Sequence, residues 1–110
     1  MKIYQKDTYT LIEASENSFQ VFFTEFKSQN LESTENHKVV ELSENLNASL
    51  KDLLLFLNIA ENHRENGMSF VIVCNGIDID EIPDEINIVP TLHEAEDVLE
   101  MEAIERDLGF

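Results

Sequence analysis

Residues 39–57 read VVELSENLNASLKDLLLFL. A short apolar strand, His37 to Leu42, runs into a small polar loop, and a leucine-rich helix follows at once. In an α/β fold the loop outside the carboxyl end of such a strand is the usual seat of binding or chemistry. Here that loop offers Ser43, Asn47 and Ser49, and the helix then opens on Leu50. Ser49, with Asp52 three positions on, is placed to cap the helix by accepting a free first-turn amide hydrogen. The helix is expected to run from Leu50 to about Asn66, where Gly67 supplies the left-handed turn that ends helices. Leu53 to Leu57 are five apolar residues in succession. Consecutive helical residues point about 100° apart, so one face cannot hold them all. Leu50, Leu53, Leu54 and Leu57 are expected to form the buried stripe. Leu55 or Phe56 then falls at its margin or outside, either widening the core contact or offering a partner an apolar surface.

Working outward, residues 1–15 are rich in Tyr, Thr and Ile with rough alternation, and read as one or two strands broken near Lys6-Asp7. Phe19, Phe22, Phe23 and Phe26 recur at helical spacing, one aromatic stripe that reads as core, with Asn17 or Ser18 as its cap. Ser69 to Cys74 is a nearly continuous apolar run, as in a strand covered on both faces. Ile77 to Glu85 has room for a single helical turn but, given Pro83, not for a long helix, and Asn87-Ile88-Val89 reads as a last short strand. Thr91 and Glu94 form the reciprocal capping pattern at the start of a final helix. Its apolar residues Ala95, Val98, Leu99, Met101, Ile104 and Leu108 are expected on one face, with acidic residues around it. Strands alternating with helices predict an α/β fold. The expectation is one domain over residues 1–110 with a mostly parallel sheet of four or five strands and about three main helices, the C-terminal one amphipathic.

The Val39–Leu57 stretch resembles the STAS domain, the module of bacterial anti-sigma-factor antagonists. That family's pattern is a strand ending near Asp-Leu-Ser, a short gap, then Asp-Ser-Ser-Gly-Leu opening a helix. Glu41-Leu42-Ser43 is similar to the strand end, and Leu53 falls on the helix leucine. The family's phosphorylated serine falls on Leu50, the aspartate before it on Ser49, and the glycine on Asp52. The element order is similar over essentially the whole chain, and Ile88-Val-Pro-Thr-Leu-His-Glu-Ala95 resembles the family's lead into its last helix. The resemblance implies a non-catalytic regulator that binds another protein, of the serine-kinase anti-sigma type or a related one, without a working serine switch. The end of the chain, EMEAIERDLGF, is also similar to short bacterial proteins sometimes labelled ribonuclease Z, a metallo-β-lactamase nuclease.

Composition narrows the classes. With 110 residues and 43% apolar content the chain has globular rather than disordered composition. A single Cys74 forms no internal disulfide and fits a reducing compartment. No stretch has signal-peptide character or approaches the ~20 apolar residues of a membrane span, so a cytoplasmic protein is expected. Net charge is −16, and residues 78–107 carry twelve acidic residues against Arg106 alone. Such a field repels nucleic acid and anionic membranes and favours basic partner surfaces; it also serves solubility.

The residues that could carry chemistry do not assemble a motif. A di-zinc nuclease needs a clustered His-x-His-x-Asp-His run with further ligands. His37, His63 and His93 are widely spaced, and ordinary surface roles are expected for all three. Asp78, Asp80, Glu81, Asp84 and Glu85 could gather round a hard cation, but Pro83 stands where a calcium loop needs its glycine. Ser43 and Ser49 lack a nucleophile elbow, and Cys74 reads as a small core residue. The reading is therefore a non-enzymatic interaction domain with no cofactor and no metal. Its partner-binding candidates are Ser43, Asn47, Ser49, Leu50, Leu55 and Phe56. The alternatives are a metal-dependent hydrolase and an acidic mimic of nucleic acid.

Overall fold

Two sequence segments, TLIEA and KVVEL, share an apolar pair at their second and third positions and a Glu at their fourth. In the computed structural model, which describes residues 1–109, these are adjacent parallel strands, β2 (Thr10–Ala14) and β3 (Lys38–Leu42). β1 (Lys2–Gln5) pairs antiparallel with β2 on the outside, the two strands meeting across the Lys6-Asp7 break. β4 (Phe70–Val73) and β5 (Asn87–Val89) extend the sheet in parallel, giving the order β1-β2-β3-β4-β5. The helices are α1 (Phe19–Ser28), α2 (Leu50–Leu53), α3 (Leu57–Glu65) and α4 (Leu92–Asp107), with a 3₁₀ turn at Leu54–Phe56 joining α2 to α3. The mostly parallel α/β sheet with a C-terminal helix is the expected architecture.

Strand order equal to chain order has a consequence. Crossovers of one hand that always step in the same direction land on the same face of the sheet. That face holds Ile12, Ala14, Val40, Leu42, Phe70 and Ile72 from the strands, covered by Phe22 and Phe26 of α1, Leu53, Phe56, Ile59 and Ala60, and Ile86 before β5. The alternate strand residues Leu11, Val39, Val71 and Val73 form the second face, covered by Ala95 and Leu99 of α4. Both faces are thus buried, and β4 is a continuous apolar run, as such a strand requires. The order never reverses, so the sheet has no switch-point crevice of the kind that holds nucleotides in doubly wound folds.

The caps form at the expected residues, though at Thr91 the Glu94 side chain does not reach back and only one half of the reciprocal pair forms. Ser18 accepts the Val21 N–H, and Thr91 accepts the Glu94 N–H at 3.2 Å. The Ser49 box is complete in both directions, at 3.0 and 3.1 Å. The final helix requires a correction. Its apolar residues occupy two faces rather than one. Ala95 and Leu99 are buried, whereas Met101, Ile104 and Leu108 are 54%, 53% and 64% exposed. At 100° per residue, 101, 104 and 108 lie half a turn round from 95, 99 and 106. Polar ties hold the C-terminal half of the helix down instead. The Asn87 amide donates to Glu102 at 3.0 Å, and Arg106 donates to the Ser69 hydroxyl at 3.3 Å. Near the other end the Tyr9 hydroxyl donates to Glu96 at 2.7 Å. Burial, and then that neighbouring carboxylate, push the Tyr9 pKa up to about 12.

Candidate functional site

All four parallel strands end at one edge of the sheet, so the residues after β2, β3, β4 and β5 converge there. The polypeptide leaves β3 at Ser43, makes a 3₁₀ turn over Glu44–Leu46, and reverses at Asn47. Asn47 adopts the left-handed conformation, φ 51°, which asparagine tolerates better than most residues that carry a Cβ. Leu46 is buried beneath the turn and anchors it. Two depressions flank this loop. One, of about 390 Å³, lies between Ser43, Asn47, Cys74 and Asn75. The other, of about 420 Å³, lies between Glu13, Ser15, Glu41, Ser43, Asn75 and Pro90. Ser43 borders both. Its hydroxyl oxygen is buried and, among the described residues, makes no hydrogen bond. Leaving such a group unsatisfied costs about 1–3 kcal/mol, which a polar group of a bound partner could recover.

The second depression contains a pair that sequence spacing did not bring together. Glu13 and Glu41 are directly opposite in the β2–β3 register, on the same face. Burial raises the Glu41 pKa, and the neighbouring Glu13 carboxylate adds to the effect. The matching fourth-position glutamates of TLIEA and KVVEL were the signal, readable only once the strand register is known. A raised carboxyl pKa means that the folded state holds the proton more readily than the unfolded one, so ionised Glu41 opposes folding. Glu41→Gln is therefore expected to stabilise the protein at neutral pH by about 0.2–1 kcal/mol, the scale of a like-charge cross-strand pair. That gain should shrink as pH falls towards the unfolded value of 4.5 and vanish below it. Urea titrations of both proteins at several pH values check the size and the direction. On the other side of the loop, burial pushes the Cys74 thiol up, which disfavours the reactive thiolate.

The helix after the loop differs from its expected course at the five apolar residues. A regular helix would spread Leu53 to Leu57 round more than one face. The 3₁₀ turn at Leu54–Phe56 tightens the winding, so that Leu53 and Phe56, three apart, both point fully into the core. The expected stripe is corrected accordingly. Leu54 lies outside, 38% exposed, and Leu50 and Leu57 are only half-buried. Phe56, expected as a partner contact, is entirely buried and cannot be one. Its ring stands edge-on to Phe19, Phe23 and Phe26, with centroids at 5.7, 5.3 and 5.7 Å. Leu55 is outside as expected, 53% exposed. It borders a groove of about 370 Å³ shared with Phe19, Phe23, Thr24 and Asp52. The structure thus brings Ser43 and Asn47 together at one depression. Ser49 and Leu50 begin the helix beside it, and Leu55 lies one step further along.

The opposite edge of the sheet carries a buried polar cluster. His63 is completely buried and Lys38 nearly so, which corrects the surface role expected for His63. His63 Nδ1 meets the Ile59 carbonyl at 2.8 Å, which assigns the proton to Nδ1 and leaves Nε2 to face the Lys38 ammonium at 3.4 Å. Lys38 also donates to the Ser33 carbonyl. Half-buried His37 accepts the Ser69 N–H at 2.9 Å, so only His93 is a surface histidine. Burial lowers the pKa of Lys38, His37 and His63 alike. Neither Lys38 nor His63 lines these depressions or a further one between Arg64, Glu102 and Arg106. The cluster joins α3 to the sheet. Its members come from strand and helix positions 25 residues apart, so nothing in local spacing marks it.

Among the described residues, no group of three or more His, Cys, Asp or Glu side chains stands at metal-holding spacing. Among the same residues, no helix is long and apolar enough to cross a membrane. The chain matches no protein-family model and no curated protein.

Proposed function

We propose that this chain is a non-catalytic, STAS-like interaction domain that binds a protein partner through the carboxyl edge of its sheet. The observation that carries the reading is the exposure of Leu55, with Leu54, on the helix that leaves the polar loop after β3. Two adjacent exposed leucines, one of them bordering a groove with Phe19 and Phe23, are the kind of patch that protein contacts cover. The loop adds the exposed Asn47 as a polar group. Consecutive strand order and a capped helix following β3 also support the family reading. The partner is a cytoplasmic protein with a basic rim, of the serine-kinase anti-sigma class or a related regulator.

In this reading the domain acts without a phosphate switch. Leu50 takes the place of the family's phosphoacceptor and has no hydroxyl. Ser49 is held in the capping box, where a phosphate would face the Asp52 carboxylate. The Ser43 hydroxyl is buried. Incubation with serine kinases of the anti-sigma type, followed by intact-mass measurement, is expected to give no stoichiometric phosphorylation. Full modification at Ser43 or Ser49 would overturn this part of the proposal.

Leu50 gives a second check. Its side chain is half-buried at the head of α2, so Leu50→Ser is expected to cost about 1 kcal/mol, below the range for a fully buried leucine. The serine created there should remain unphosphorylated, because Lys51 and Asp52 also depart from the family's pattern. A melting curve and the same kinase assay read both outcomes.

A further inference from the structure

The outward stripe of α4 plays no part in the site above. It faces away from the sheet, on the side of the molecule opposite α1 and α3. Met101, Ile104 and Leu108 are spaced by three and four residues and are all more than half exposed. This is the a/d spacing of a helix–helix seam. With Met101 and Leu108 at a and Ile104 at d, the flanking g and e positions are Glu100, Glu105 and Asp107. All three are exposed and acidic. Arg106 falls at f, turned towards the chain's own sheet, where it bonds to Ser69. The seam therefore has an apolar centre and a rim of one sign.

Charge on e and g positions decides which helix can pair with which. A second copy of this chain would set Glu100, Glu105 and Asp107 against their own counterparts, on top of a net charge of −16 per molecule. Like charges at those positions act against self-pairing. A helix with apolar a/d residues and Lys or Arg at e and g meets both features at once. We infer that the outer face of α4 is a docking seam for a basic amphipathic helix of another protein, independent of the carboxyl-edge site. The seam spans only two turns, so it falls at the small end of specific interfaces and makes a reversible contact.

The test uses the full chain and two fluorescent helical peptides of about three heptads, both with Leu at a and d. One has Lys at e and g, the other Glu. Anisotropy titration is expected to show binding of the Lys peptide, and at least about tenfold weaker binding of the Glu peptide. Ile104→Asp adds negative charge, so attraction by charge alone would keep or tighten binding. Loss of at least about tenfold in affinity is expected instead, because the apolar seam is broken. Ile104 is half exposed, so melting should be unchanged; Met101→Gln serves as a second variant if it is not. Failure of the Lys peptide to bind would overturn the inference. So would equal affinity for Ile104→Asp, or a dimer in sedimentation equilibrium that Ile104→Asp dissolves. Leu55→Asp should leave peptide binding intact, which separates failure here from failure at the carboxyl edge.

Discussion

Phe56→Ala is expected to lower the free energy of unfolding by about 3–5 kcal/mol, the scale for deleting a buried aromatic ring. The ring is fully enclosed and meets three α1 phenylalanines edge-on. Phe70 of β4 lies at 5.7 Å on another side. Edge-on pairs contribute beyond area alone, so removing the ring loses several favourable contacts and leaves a cavity between α1 and the sheet. A domain whose total stability is about 5–15 kcal/mol becomes marginal after such a loss. Phe56→Leu keeps most of the volume and should recover more than half of the deficit. Urea unfolding of the three proteins measures this. A loss below about 1 kcal/mol for the alanine would put the ring at the margin of the core, where helical spacing alone would set it.

Leu55→Asp should do the opposite. Its side chain is 53% exposed and packs little of the core, so the unfolding midpoint is expected to move by no more than a few degrees. Affinity for the partner is expected to fall at least about thirtyfold, or about 2 kcal/mol, because the change puts a charge into an apolar contact. Leu54→Asp should act in the same direction with a smaller effect, since Leu54 is the less exposed of the two. Together Phe56 and Leu55 separate stability from binding within two adjacent residues.

Those two residues also mark the limit of what spacing can tell. The rough alternation over residues 1–15, the apolar strand at His37–Leu42, the apolar run before Cys74 and the capping pairs at Ser49 and Thr91 are local signals, and each led to an observed element. The winding of 53–57 was not local. It follows from α1 and β4 both presenting rings to Phe56, which draws the helix into a 3₁₀ turn and turns Leu54 outward. The same holds for α4, where the sheet takes Ala95 and Leu99, and the ties at Asn87 and Ser69 take the face that apolar residues would otherwise fill. Of the candidate site, Ser43, Asn47, Ser49, Leu50 and Leu55 were legible because they follow a strand end. Glu13 beside Glu41 and Lys38 beside His63 depend on pairing across the fold, which one linear sequence does not reveal.

The most direct test of the carboxyl-edge proposal is capture from native cell extract by the wild-type chain and by Leu55→Asp, side by side, at about 0.1 M and about 0.5 M salt. The account predicts a discrete protein held by the wild type and lost from Leu55→Asp at both salt concentrations, because an apolar contact survives screening. Identical capture by the two chains would contradict it, as would a wild-type preparation that carries stoichiometric zinc and cleaves structured RNA.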